Sequence, residues 1–166
     1  MKKNMAVLLS FLMIVVICSS AAPAVFARED AGEAVAVNDA AAFAAMDQTG
    51  NYYLTADITL SATYNGTFAG TLDGKGHTVT VSAPVFENVK GTVKDLVIKG
   101  KVEDTSAELL AALAVNAVPG AVFEKIVNNA SVIGDANNTK RAAVIIALIT
   151  KGDGTVTVSG CKNTGK

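Results

Sequence analysis

Residues with catalytic potential are concentrated in the segment "GTLDGKGHTVTV", which runs from Gly70 to Val81. It contains Asp73, Lys75 and His77, and His77 is the only histidine of the chain. Carboxylate, ammonium and imidazole groups are the ones that transfer protons or bind anions and metal ions. The segment is therefore either a reactive site or a polar turn that faces water.

The residue pattern of this segment argues against two kinds of site. A phosphate-binding loop has four residues between its glycines and a Ser or Thr after its lysine. Here three residues separate Gly70 from Gly74, and a third glycine follows the lysine. A single histidine falls short of the Cys and His sets that hold zinc, so no metal or other cofactor is predicted. We instead predict a turn at Asp73, Gly74 and Gly76, with His77 in the strand that follows.

The amino terminus has the three parts of a secretory signal. Lys2 and Lys3 precede an apolar run from Ala6 to Cys18, and the small residues of "AVFA" then predict cleavage after Ala27. The run is shorter than the roughly 20 apolar residues that span a bilayer. We therefore predict an exported protein, secreted or at the cell surface, with no stable membrane span after cleavage.

Charge and cysteine content restrict the mature chain further. Removing residues 1–27 leaves 12 of the 14 Lys and Arg residues and all 15 Asp and Glu residues, a net charge near −3. A nucleic-acid-binding surface is clustered and basic, so nucleic acid is not predicted as a partner. Cys161 is then the only cysteine and cannot form an internal disulfide, so stability must come from packing.

The rest of the chain begins with a helix and continues as short strands. A helix is predicted over residues 38–46, capped by Asn38 or Asp39, with Phe43 and Met46 on one face. After it, alternating segments rich in β-forming residues are separated by Gly and Asn clusters. The predicted divisions are a signal peptide at 1–27, a mobile linker at 28–36 and one repeat domain at 37–166.

Two internal alignments show that the chain repeats itself. "TVKDLVIKGKV", which begins at Thr92, aligns without a gap with "VFEKIVNNASV", which begins at Val122. "VSGCKNTGK", from Val158, aligns in turn with "FEKIVNNAS", from Phe123. A period of about 30 residues with several short strands per unit is typical of a solenoid. The aligned pairs are Val93 with Phe123, Leu96 with Ile126, Val97 with Val127, Val102 with Val132, Cys161 with Ile126, and Asn163 with Asn128.

This periodicity predicts an all-β fold, a parallel β-helix of about four coils, with each repeat forming one coil. Aligned apolar residues would stack inside, and the helix would cover the open end of the first coil. Cys161 aligns with an apolar core position and is therefore interpreted as a core residue and not as a nucleophile. Asn128 and Asn163 are predicted to stack as a ladder of hydrogen-bonded amides.

Two segments also carry helical features. Thr105 and Glu108 have the spacing of a capping box, so residues 105–115 fit either a helix or a strand. Residues 140–150 have helical periodicity, but the β-branched run within residues 144–150 favours a buried strand.

The order of "NYYLTADITL", "GTFAGTLDGKGHTVT", "PVFENVKGTVKDLVIKG" and "KGDGTVTVSGCKNTG" resembles bacterial surface proteins with GLUG-type repeats. Such repeats also occur beside IgA-cleaving metallopeptidase regions, and the resemblance covers residues 38–166. It implies a right-handed β-helix in an exported or cell-surface protein. It also implies a spacer, adhesin or binding region and not a catalytic one. We expect its partners to be glycans, the cell wall or surface proteins.

A carbohydrate-active enzyme is the alternative function, because several polysaccharide lyases are β-helices. Such an enzyme needs clustered carboxylates for Ca²⁺ and a basic residue that abstracts a proton. Asp57, Asp73 and Asp95 are the candidate carboxylates, with Lys75 or Lys94 as the base.

The sequence stops at "NTGK", within a repeat, whereas solenoids usually have a capping unit at each end. We therefore expect an open or truncated carboxyl-terminal coil, and end-to-end self-association through that coil.

Overall fold

A computed structural model of the chain describes residues 32–134 and 141–165. The predicted signal peptide at residues 1–27 lies outside these ranges. Sixteen strands and one short helix follow each other in the described residues. They are β1 Val35–Val37, α1 Ala40–Ala44, β2 Asn51–Leu54, β3 Ile58–Leu60, β4 Tyr64–Phe68, β5 Thr71–Asp73, β6 Thr78–Val81, β7 Phe86–Val89, β8 Thr92–Glu103, β9 Leu109–Ala111, β10 Ala114–Ala117, β11 Val122–Asn128, β12 Ser131–Ile133, β13 Arg141–Ala143, β14 Ile146–Ile149, β15 Thr157–Ser159 and β16 Lys162–Asn163.

The strands form stacked parallel sheets, as in a parallel β-solenoid. The largest sheet has the order β1-β2-β5-β8-β11-β15, and the second has the order β14-β10-β7-β4. A two-stranded sheet pairs β13 with β9. Successive sets of strands therefore lie on one another: β2 to β4, β5 to β7, β8 to β10, β11 to β14, and then β15 and β16. No helix in the described ranges is long and apolar enough to cross a membrane.

The register of the ladders joins the residues that the internal alignment pairs. Between β8 and β11, Val93 lies beside Phe123, Leu96 beside Ile126 and Val97 beside Val127. Val102 of β8 lies beside Val132 of β12. In the second alignment, Asn128 lies beside Asn163.

The repeat length is not uniform, in contrast to the single period that the alignments predict. Asn51 pairs with Thr71, and Thr71 pairs with Thr92, so the first two turns of the chain are clearly shorter than the predicted repeat. The third turn is longer because β8 continues past its pairing with β6, from Lys101 to Glu103, and a further loop precedes β9. Insertions in the later turns therefore account for the longer offsets found by alignment.

The amino-terminal end differs from the prediction in two details. The helix is α1, Ala40–Ala44, shorter than residues 38–46, and Asp39 caps it by accepting a 2.7 Å hydrogen bond from the backbone N–H of Ala42. Val35 and Ala36, which the sequence assigns to the linker, belong to β1 and pair with β2. The first strand therefore begins before the predicted domain boundary at residue 37.

Buried aromatic rings connect α1 to the first turns. Phe43 of the helix lies with its ring centroid 5.6 Å from that of Phe86, and Phe86 stacks on Phe68 at 5.2 Å. Tyr64 donates a 2.9 Å hydrogen bond to the Met46 carbonyl, which lies just beyond the helix. Phe43 thus packs α1 against the sheet, and the hydrogen bond from Tyr64 fixes the chain that follows the helix.

Residues 105–115, for which the sequence fits either a helix or a strand, contain strands and no helix. The Asp104 carboxylate accepts hydrogen bonds from the backbone N–H groups of Ser106 and Ala107, at 2.8 and 3.0 Å, and so forms a turn. The strands β9 and β10 follow. In the second segment, β14 places Ile146–Ile149 in a strand, as its β-branched run favours, but the strand is not buried: three of its residues are half-buried and Ile149 is 59% exposed.

Candidate functional site

From β5 onward, each turn of the main sheet has a corner at which one or two residues adopt a positive φ. We call these residues the corner column. The non-glycine residues of this column adopt the left-handed backbone conformation, which costs an L-residue roughly 1–2 kcal/mol. The members are Lys75 (φ 50°), Gly76 (φ 79°), Asp95 (φ 49°), Lys125 (φ 53°) and Gly160 (φ 61°).

The predicted turn at Asp73, Gly74 and Gly76 lies at the first of these corners. Asp73 Oδ1 accepts a 2.9 Å hydrogen bond from the Lys75 backbone N–H, which stabilises the turn although a lysine occupies the left-handed position. Gly74 has a different role from Gly76. A Cβ atom at Gly74 would lie 2.5 Å from the Asp95 carbonyl oxygen, so glycine permits the close approach of the next turn.

Asp73 also joins two lysines on the outer face of the sheet. Its Oδ2 lies 2.9 Å from Lys75 Nζ and 3.3 Å from Lys94 Nζ. Burial raises the pKa of the Asp73 carboxyl, but hydrogen bonds from Lys75 and Lys94 outweigh burial and hold that pKa below its usual value. The hydrogen bond to Asp73, together with its charge, raises the pKa of Lys75.

A groove of about 350 Å³ runs across strands β2, β5 and β8 beside this carboxylate. We call it the β2–β5–β8 groove. Two pairs of neighbouring residues on β2 and β5 form its floor: Tyr53 lies beside Asp73, and Asn51 lies beside Thr71. Its lining residues are Gly32, Ala34, Asn51, Tyr52, Tyr53, Thr71, Asp73, Lys75 and Lys94.

The groove combines an aromatic face with polar groups. The half-buried ring of Tyr53 offers an apolar face, and Asn51, Thr71 and the two lysines supply hydrogen-bond donors and acceptors around it. Binding sites generally join an apolar surface to a few fixed polar groups. This is the arrangement on the described residues that we take as the candidate functional site.

The three carboxylates considered for a Ca²⁺ site do not come together. Asp57 accepts a 2.8 Å hydrogen bond from the Thr78 backbone N–H, and Asp95 lies 3.9 Å from Lys125 Nζ. Asp73 is occupied by its two lysines. Within residues 32–134 and 141–165, no group of three or more His, Cys, Asp or Glu side chains converges as metal ligands would.

His77 contacts one of these carboxylates and lies beside the turn. Its Nδ1 is 3.3 Å from Asp57 Oδ1. The hydrogen bond from the Thr78 backbone, followed by the contribution of His77, lowers the pKa of Asp57 in spite of desolvation. His77 thus links the first two turns of the sheet.

Asparagine ladders occur at two places, of which the sequence predicts one. Asn128 Nδ2 donates a 2.9 Å hydrogen bond to Asn163 Oδ1. Asn116 Nδ2 likewise donates to Asn88 Oδ1 at 3.0 Å, on the second sheet. The signal for this second ladder is present in the sequence, because "PVFENVKG" and "LAVNAVPG" each place an Asn after an apolar run.

Cys161 is half-buried and free, and it packs against the core. Its Sγ lies 3.4 Å from the Ser159 carbonyl oxygen and 3.7 Å from that of Phe123. It sits between β15 and β16, at the position that the alignment gives to Ile126.

Sequence reasoning missed the groove residues Asn51, Tyr53 and Thr71. The available signal is a shorter offset than the one the alignments use, which places "NYY" over "TLD" and Tyr53 over Asp73. No protein-family model, no curated protein and no solved structure matches this sequence.

Proposed function

We propose that this chain is an exported, non-catalytic module of a bacterial surface or secreted protein, and that it contacts glycans or the cell wall. The observation that carries the proposal is the β2–β5–β8 groove, in which Tyr53 lies in register with the charged group at Asp73. Adhesion is the role that such a surface serves, with the stacked turns acting as a spacer.

The proposed fold is a right-handed parallel β-helix of about four coils, capped at its amino end by α1. Parallel strands joined through a crossover are almost always connected with a right-handed sense. Phe43 and Met46 are buried beside the first turns, where a cap would place them. The resemblance to GLUG-type repeats of bacterial surface proteins supports the same fold and location.

Sugar recognition is favoured over recognition of an apolar ligand because the groove is shallow and mixed in character. The half-exposed face of Tyr53 suits the apolar face of a pyranose ring, while amide, hydroxyl and ammonium groups suit the hydroxyls at the ring edge. Position on rigid strands keeps these groups in place without ordering a loop, which limits the entropy lost on binding.

Binding without turnover is proposed because Lys75, a basic group of the groove, is held as a cation. A lysine that abstracts a proton must first be neutral, whereas the ion pair with Asp73 stabilises the charged form of Lys75. Lys75 and Lys94 neutralise the carboxylate that a Ca²⁺ ion would need.

The test is a titration of ¹⁵N-labelled protein with soluble cell-wall and surface glycans, followed by amide NMR shifts. We expect shifts at β2, β5 and β8, and a loss of affinity of about tenfold or more in Tyr53→Ala. Thr80→Ala is the control, because Thr80 is exposed on β6 outside the groove. Absence of binding to every glycan would contradict the proposal, and Ca²⁺-dependent release of unsaturated sugars would show a lyase instead.

Self-association through the carboxyl-terminal coil is proposed as well, with a second copy of this chain as the partner. In the described residues, β15 pairs with β11 on one side and its other edge has no strand partner. Val158 continues the column of Val93 and Phe123 but is 50% exposed. A free strand edge with an apolar residue is a template for pairing with another chain.

A further inference from the structure

The charges of the β2–β5–β8 groove point to one class of glycan. Resting on the proposed function, we propose that the groove selects glycans that carry carboxylate groups, such as chains of uronic acids. The specificity resides in Lys75 and Lys94, which flank Asp73.

The lining of the groove carries one more positive than negative charge. Lys75 and Lys94 both contact a single oxygen of Asp73, while the other oxygen accepts the Lys75 backbone N–H. Each ammonium has three N–H donors, so one shared acceptor leaves donors on both lysines for a ligand. The two side chains are 56% and 35% exposed, so an anion reaches both.

The nearest other acidic groups are paired mainly with Lys125, which lies outside the groove lining. Glu124 lies beside Lys94 in register, but its carboxylate is 3.7 Å from Lys125 Nζ. Asp95 lies 3.9 Å from Lys125 Nζ, and its charge also contributes to raising the pKa of Lys75, so it offsets only part of the positive charge beside the groove. Glu33 is exposed beside the groove wall and is not among the lining residues.

The register sets the distance between the aromatic and the cationic parts. Tyr53, Asp73 and Lys94 occupy adjacent strands in one row, so Tyr53 and Lys94 are two strand spacings apart, about 10 Å between backbones. A sugar ring on Tyr53 therefore extends its substituents, or the next ring of the chain, towards the lysines. A carboxylate there would form charge-assisted hydrogen bonds that a neutral hydroxyl does not replace.

The experiment compares an oligogalacturonate with its fully methyl-esterified form by isothermal titration calorimetry. The two ligands share the same chain and differ in the carboxylate charge. We expect the acidic form to bind about tenfold tighter or more, because hydrogen bonds to charged groups contribute strongly. Raising the ionic strength from low salt should reduce this preference, since both lysines are partly exposed.

Lys94→Gln is the diagnostic variant, with Lys99→Gln as its matched control on the same strand, β8. Lys99 is exposed and lies outside the groove lining. We expect Lys94→Gln to lose most of the preference for the acidic ligand and Lys99→Gln to keep it. Circular dichroism of both variants checks that the fold is retained, and Lys75→Gln gives a second test at the other side of Asp73.

Equal affinity for the acidic and esterified ligands would overturn the inferred selectivity and leave the proposed glycan function standing. Equal losses in Lys94→Gln and Lys99→Gln would also overturn it, because the effect would then be general charge attraction. If neither ligand binds and no other glycan binds, the proposed function and the inference are both wrong.

Discussion

Asn128 donates a 2.9 Å hydrogen bond to Asn163 in the next turn, within a column that is otherwise apolar. In the preceding turns the same column holds Val79 and Ile98, which pair in register. Asn128 is fully buried, and its amide also contacts the N–H and C=O groups of Ala130. The interior of the solenoid thus changes from apolar packing to an amide ladder at the fourth turn.

Replacement of Asn128 by alanine should destabilise the protein by about 1–3 kcal/mol, because the buried backbone groups of Ala130 lose their partner. Urea unfolding followed by circular dichroism measures this. Asn116→Ala is the control, since Asn116 is only half-buried, and we expect a smaller loss of about 0.5–1.5 kcal/mol. Equal losses in the two variants would show that burial does not determine how much each asparagine ladder contributes to the free energy of unfolding.

The Gly74→Ala variant should lose about 1–3 kcal/mol of unfolding free energy, because its Cβ would meet the Asp95 carbonyl oxygen at 2.5 Å. That oxygen belongs to the backbone and cannot swing away. Gly76→Asn is the comparison, because no atom lies within 4 Å of a Cβ there and asparagine tolerates a positive φ. We expect it to change the stability by less than about 0.5 kcal/mol. A larger loss than in Gly74→Ala would show that the positive φ of Gly76, and not the close contact at Gly74, is the stronger requirement for glycine.

Acid should weaken the fold through Asp73 and Asp57. The pKa of each carboxyl is lowered in the folded protein, so each contributes stability above its unfolded pKa of about 4. That contribution is lost as the pH falls through the folded pKa. We expect the urea midpoint to decrease below about pH 4.

Asp73→Asn should flatten this acid dependence and reduce the stability at neutral pH towards the acid value. The control is Asp153→Asn, because Asp153 is an exposed carboxylate outside the groove. A wild-type profile that is flat through the acid range, or unchanged in Asp73→Asn, would mean that the ion pairs with Lys75 and Lys94 contribute no net stability.

Light scattering should show dimers that form with increasing concentration, because β15 has an edge that is unpaired among the described strands, with Val158 exposed. Val158→Lys should shift the protein towards the monomer, since a charged residue at a strand edge opposes pairing. Thr80→Lys adds the same charge at an exposed position away from this edge. A wild-type protein that stays monomeric at high concentration would refute self-association through this coil.

The sequence was sufficient for the parts of the fold that depend on repetition. Val93 with Phe123 and Asn128 with Asn163 follow from alignment alone, because residues that stack in a solenoid recur at a regular offset. The shorter first turns were missed, since the offset that joins Asn51 to Thr71 differs from the period of the later turns.

Sequence signals for local structure were misleading where tertiary contacts determine the secondary structure. Thr105 and Glu108 have capping-box spacing, yet the Asp104 carboxylate instead closes a turn and the chain continues into β9. The groove was hidden for a related reason. Tyr53 and Lys94 are two turns apart in the chain and share one surface only because the sheet pairs β2 with β5 and β5 with β8.

The main-sheet ladders connect each turn only to the next one along the chain, as in the pairs Asn51 with Thr71, Thr71 with Thr92, and Thr92 with Val122. Paired residues of the main sheet are therefore separated by only one turn of the chain. Folding rates fall as contacting residues become more distant in sequence, and short closures favour rapid formation. Each turn needs only the turn before it as a template. The chain can therefore add one turn at a time to a folded neighbour, without waiting for contacts between distant parts of the sequence.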